Sequence, residues 1–218
     1  MRYWWKALAV LLLFYTLIGG FLIEVPRQVI LYESIRNLYF HVPMWFSMIF
    51  LFLLSTIYSI KNLSSGSLED DRKAIELVNV GIIFGVLGTI TGSIWAKFTW
   101  GAWWTNDVKL NGSAITMLIY LAYLVLRGSL DDEQKRARIS AVYNIFAFVL
   151  LIVFIGILPR MTDSLHPGNG GNPGFNNYDL DNNMKLVFYP AVVAWILLAL
   201  WMANLRLRIS RLKENLSS

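Results

Sequence analysis

The chain has 218 residues, 56% of them apolar and only 15% charged, with a formal net charge of +5 and no cysteine. An ordinary soluble domain carries about 25% charged residues, so that class is excluded, and the missing thiols exclude disulfides and thiolate metal sites. Mean hydropathy is +0.53 and the apolar residues come in runs, so the chain reads as an all-α, polytopic membrane protein forming one domain over 1–218.

Six uncharged stretches approach the roughly 20 residues that span a bilayer: Ala7–Ile23, Val42–Ile60, Leu77–Ala96, Leu110–Leu126, Ile139–Pro159 and Leu186–Leu205. The first opens the chain as "MRYWWKALAVLLLFYTLIGG", which has a basic start like a signal peptide but no A-x-A-like cleavage site, so it is expected to stay as a transmembrane helix. With six spans both termini share a side. Arg2, Lys6, Lys61, Arg72, Lys73, Arg127, Lys135, Arg136, Arg138, Arg206, Arg208, Arg211 and Lys213 fall there, thirteen cations against six (Arg27, Arg36, Lys97, Lys109, Arg160, Lys185) on the other. The positive-inside rule therefore predicts cytoplasmic termini. That asymmetry also accounts for the net charge, with the lipid bilayer as partner and no nucleic acid.

After the first span, "EVPRQVILYESIRNLYFH" (Glu24 to His41) interrupts apolar residues with charges and is expected to lie along the membrane surface as an amphipathic helix. The second span begins within "NLYFHVPMW", which places His41 at the outer surface. "KNLSSGSLEDDRK" then makes a short solvated turn. The third span carries Gly81, Gly85, Gly88 and Gly92 at i, i+4, i+7 and i+11, one helical face suited to close packing.

Next comes "WGAWWTND". Trp100, Trp103 and Trp104 are spaced i, i+3, i+4, and Asp107 adds i+7. Were this segment helical, the four side chains would form one aromatic shelf ending in a carboxylate, while Gly101 would let a planar ligand or another backbone come close. An interfacial aromatic belt explains Trp4, Trp5 and Trp45 well. For Trp100 to Trp104, belt and ligand platform both remain open on physical grounds.

The fourth and fifth spans are joined by a second solvated turn, "RGSLDDEQKRAR". The last external loop, "RMTDSLHPGNGGNPGFNNYDLDNNMK", is rich in Gly and Asn and holds His166, a composition typical of functional loops. The chain has two histidines, and both fall on the side of the tryptophans. Two imidazoles are too few for a closed zinc site but suffice as axial ligands of a haem iron beside stacked indoles. Arg36, Lys97, Lys109 and Arg160 are available for the propionates. No nucleophile–base pair points to hydrolytic chemistry.

Two other classes make different demands. A permease subunit for a small solute predicts polar groups near the midplane of several spans, and the candidates Asn79 and Asn144 lie nearer span ends. A quinol-linked membrane cytochrome b subunit predicts histidines within the spans, and neither His41 nor His166 fits.

"WGAWWTNDVKL" resembles the WWD signature of the haem-handling membrane proteins of cytochrome c maturation. Together with "YFHVPMW", the His of the last external loop and six spans in this length, nearly the whole chain resembles the CcmC family, which shares a superfamily with CcmF and CcsA. The family commonly reads WGxWWxWD, whereas here Asn106 stands at the penultimate position. The resemblance implies a haem-handling protein of the bacterial inner membrane, not an enzyme, with its WWD loop between helices 3 and 4 on the periplasmic face. It implies that haem b is held with His41 and His166 as axial ligands and Trp100, Gly101, Trp103, Trp104 and Asp107 as platform. The implied partners are the haem chaperone CcmE, the ABC-type subunits CcmA and CcmB, and the small membrane protein CcmD.

Overall fold

A computed structural model describes residues 3–27, 31–166 and 180–217. Every described element is helical, and six helices are long and apolar enough to cross a membrane. Helix α1 spans Trp4–Leu22, α2 Leu38–Ser65, α3 Leu68–Trp100, α4 Val108–Gly128, α5 Glu133–Leu151, the one-turn α6 Leu158–Met161, and α7 Asn182–Ser217. A 3-10 turn, Tyr32–Asn37, leads into α2, and a π-helical stretch, Ile152–Ile157, joins α5 to α6. The six expected spans are all present. The expected surface helix over Glu24 to His41 reduces to that 3-10 turn, with Val29 and Ile30 outside the described residues, because α2 starts early and takes in His41.

Local chemistry sets the turns. Gly66 closes α2 at φ +71, a left-handed conformation that suits glycine. Ser67 then caps α3 by accepting the Asp70 N–H, with Glu69, Asp70 and Asp71 in the first turn at the positive end of the helix dipole. Asp132 caps α5 through the Lys135 N–H. The π-helical stretch precedes Pro159, which has no N–H to give the helical ladder, so a register shift relieves the conflict.

The glycine face of α3 packs against α2 and α4. A Cβ at Gly81 would come within 2.4 Å of the Phe52 ring, one at Gly85 within 2.3 Å of the Met117 sulfur, one at Gly88 within 2.9 Å of Trp45, and one at Gly92 within 2.5 Å of His41 Cε1. Small residues here let the helix backbones approach closely. The largest buried cluster is built from α2, α3, α4, α5 and α7 and includes Met48, Leu51, Phe52, Phe84 and Tyr120. Phe52 and Tyr120 stack with centroids 3.6 Å apart. A second cluster, including Ile35, Tyr39, Met184 and Phe188, secures the opposite end of α2 to the start of α7.

Buried polar groups tie the bundle together. Asn144 donates to Ser55 and Ser59, joining α5 to α2. Arg127 grips Asp71 with both guanidinium nitrogens, joining α4 to α3. Both side chains are mostly shielded, which suits a bidentate pair.

Candidate functional site

His41 lies in the first turns of α2 rather than in a loop, so the structure moves one of the two histidines onto a rigid element. Its ring seats on Gly92 and meets Trp45 and Trp95 edge-on, with centroids 6.4 and 5.9 Å away. Its Nδ1 is 3.1 Å from Thr91 Oγ1. The Thr91 hydroxyl also lies 2.8 Å from the Leu87 carbonyl and 3.2 Å from the Gly88 carbonyl, so its single proton has a backbone acceptor. The hydroxyl must then accept from the imidazole, which assigns the proton to Nδ1 and leaves the lone pair on Nε2. Trp95 is itself held by its indole N–H, which donates to Ser34.

The tryptophan stretch is not a helix. Helix α3 ends at Trp100, and Gly101 at φ +78 turns the chain out of it. The four side chains therefore do not share a helical face. Gly101 serves the turn; a Cβ there would meet nothing within 4 Å. Trp103 and Trp104 project outward, 58% and 41% exposed. The Trp103 carbonyl accepts from Ser93, and the Trp104 indole N–H donates to Asn111. Asn111 in turn donates to Asn106 at 2.7 Å. Asn106 thus helps orient Trp104 through Asn111.

Asp107 does not border the shelf; it is 4% exposed and caps α4. Its Oδ1 accepts the Lys109 and Leu110 N–H groups. Its Oδ2 accepts the Ser164 hydroxyl and the Leu165 N–H, each at 2.8 Å. His166 Nδ1 lies 3.0 Å from Oδ1, and the His166 ring meets Trp100 edge-on at 4.9 Å. One carboxylate thus clasps the loop between α3 and α4 to the segment that follows α6. Burial works to raise its carboxyl, but the Leu165 N–H, the Ser164 hydroxyl, His166 and the Lys109 N–H together hold it below the usual carboxylate value. An ionised carboxylate only accepts, so His166 donates through Nδ1 and its Nε2 also keeps a lone pair. Burial pushes the His166 imidazole below its usual value, against the pull of Asp107. That favours the neutral, ligand-competent form.

His166 lies near enough for its charge to bear on His41. Both rings thus occupy one end of the bundle, each anchored through Nδ1 and flanked by indole. Among the described residues no group of three or more His, Asp and Glu could hold a bare metal ion. A porphyrin brings four nitrogen donors of its own, so a pair of imidazoles suits haem better than an isolated cation.

The cations expected at the propionates are mostly engaged elsewhere. Arg36 donates to the Gly20 and Ile23 carbonyls at the end of α1 and pairs with Glu33. Lys97 donates to the Gly101 carbonyl and Arg160 to the Gly156 carbonyl. Lys109 lies near enough to influence His166. The Gly/Asn-rich part of the last loop, 167–179, lies outside the described residues. The sequence did not single out Thr91, Trp95 and Ser164; the one available signal was the position of Thr91 beside Gly92 of the glycine face.

A family model for heme exporter protein C, CcmC, matches residues 1–218. The heme exporter protein C of Haemophilus influenzae is 24% identical over 190 residues, 84% of this chain and 74% of that protein. That of Bradyrhizobium diazoefficiens is 30% identical over 119 residues, 54% of this chain and 45% of its own. The cytochrome c biogenesis protein CcsA of Prochlorococcus marinus is 37% identical over 111 residues, 49% of this chain. The matched stretch covers only 35% of that CcsA.

Proposed function

The chain belongs to the heme exporter protein C family, and from that membership we propose that it binds haem b at the periplasmic face of the bacterial inner membrane and presents it to the chaperone CcmE during cytochrome c maturation. The observation that carries this reading is the matched preparation of the two imidazoles. His41 and His166 each place Nδ1 against an oxygen, which makes Nε2 the nitrogen that would face iron. Haem, when bound, supplies the iron they would ligate and the vinyl groups through which a chaperone can be joined to it.

The chain's own residues do the rest. In this reading Trp100, Trp103 and Trp104, redirected by the turn at Gly101, supply apolar surface for the macrocycle, and Asp107 fixes the orientation of His166. His41 stands on a helix, whereas His166 stands on a loop held by one carboxylate. That asymmetry suits a handler, since the loop ligand can let go while the helix ligand keeps its place. The heme exporter protein C family membership supports a transfer role for this site. CcmA, CcmB and CcmD are the further partners of this reading. A permease gains nothing from Asn144, which is used in joining α5 to α2. A quinol-linked cytochrome gains only His41, since His166 is on a loop.

The test is the absorption spectrum of detergent-purified protein loaded with haem b. His41→Ala and His166→Ala should each shift the Soret band. In sealed vesicles a membrane-impermeant reductant should reach the bound haem from the periplasmic side. Spectra indifferent to both substitutions would refute the assignment.

A further inference from the structure

Helix α7 continues well past the end of the sixth apolar stretch at Leu205. On the side facing α3, Arg206 pairs with Glu76 at 2.6 Å, Arg211 with Glu69, and Glu214 with Arg72. The opposite side carries Leu205, Ile209, Leu212 and Leu216, which are 45, 52, 61 and 88% exposed. Their spacing of four, three and four residues is the heptad pattern of a coiled-coil seam. The stripe extends over about 16 Å of helix. Arg208 borders it on one side and Lys213 on the other, and neither makes a hydrogen bond or ion pair among the described residues.

Lipid does not account for this stripe. At its level the helix carries Arg208, Arg211, Lys213 and Glu214 around its circumference, which a hydrocarbon environment would penalise. Nor is a second copy of the chain suited to it, since the flanking cations would then face cations. We propose that this stripe is a docking seam for an acidic amphipathic helix of another polypeptide, on the side of the membrane where both termini emerge. The partner lays leucine-like residues against Ile209 and Leu212 and places carboxylates beside Arg208 and Lys213. Because α7 is already held helical by α3, docking does not bear the cost of nucleating this helix.

The probe is a fluorescent synthetic peptide of about four heptads with leucine at the seam and glutamate at the flanks, added to the full chain in lipid nanodiscs. The glutamate flanks keep the peptide from pairing with itself. It should bind at least about tenfold more tightly than its lysine-flanked counterpart, and the double variant Arg208→Glu with Lys213→Glu should reverse that order. Ile209→Asn with Leu212→Asn should abolish binding of both. The charge variant changes no apolar residue, so the test survives if the apolar variant fails to fold. Equal binding of the two peptides, or binding of neither, overturns the proposal. So does efficient disulfide-linked pairing of Leu212→Cys chains, which would indicate a second copy. Quenching of a label at position 212 by quenchers in the lipid chains would indicate a membrane contact and overturn it equally.

Discussion

Asp107 concentrates more of the site's geometry than any other described side chain. Replacing it with Ala removes the cap of α4, costing about 1 kcal/mol, and also frees Ser164, Leu165 and His166. Groups that orient a metal-ligating His typically govern affinity by about 10–100-fold. Asp107→Asn should therefore weaken haem binding within that range in a spectroscopic titration while costing less stability than Asp107→Ala. At His41 the equivalent support is a neutral hydroxyl. Thr91→Val should broaden or shift the haem spectrum and Thr91→Ser should restore it, whereas a purely packing role would favour Val, the closer match in shape. The chain's two histidines give a simple nitrogen NMR spectrum of the haem-free protein, in which both should show the Nδ1–H tautomer. Because folding lowers the His166 value, its contribution is fully present above its ordinary value of about 6.5 and is lost as pH falls through the lower folded value. A His166 midpoint at or above the ordinary value would contradict this picture.

Along the elements, the four glycines of α3 are predicted to differ in cost. Gly85→Ala meets the flexible ends of Met48 and Met117, which can yield. Gly81→Ala meets Phe52, already stacked on Tyr120, and overpacking of that kind costs about 1–3 kcal/mol. On α4, Gly112→Ala would bring a Cβ to 2.5 Å from the Phe154 backbone carbonyl. Backbone cannot rotate away, so thermal melting in detergent should rank Gly112→Ala and Gly81→Ala below Gly85→Ala. Gly92→Ala is distinct because the atom it strikes is His41 Cε1. It should alter the haem spectrum more than the melting temperature.

For the molecule as a whole, orientation and cohesion are the testable properties. With no native cysteine, single cysteines report topology cleanly. Asn106→Cys should react with a membrane-impermeant maleimide from the periplasmic side, and Lys213→Cys only after the membrane is opened. The opposite pattern would invert the predicted orientation. Cohesion between α3 and α4 depends on Asp71 and Arg127. Asp71→Ala leaves a shielded guanidinium without its carboxylate and should cost up to about 3–5 kcal/mol, whereas replacing both partners by apolar residues should cost much less.

The sequence by itself determined the six spans, because crossing hydrocarbon requires long runs without charge, and run length is a property of the chain alone. It also located the packing face of α3, since small residues at helical spacing leave a flat surface wherever the helix lies. His41, His166 and the tryptophans stood out in the sequence as candidates, the histidines because there are two of them and the indoles because they cluster. Their arrangement did not. That Ser164 and Leu165 close upon Asp107 depends on residues more than fifty positions apart. The roles of Thr91 and Trp95 depend on α3 lying against α2. Periodicity describes one element at a time, whereas hydrogen bonds between elements exist only after packing brings their donors and acceptors within 3 Å or so.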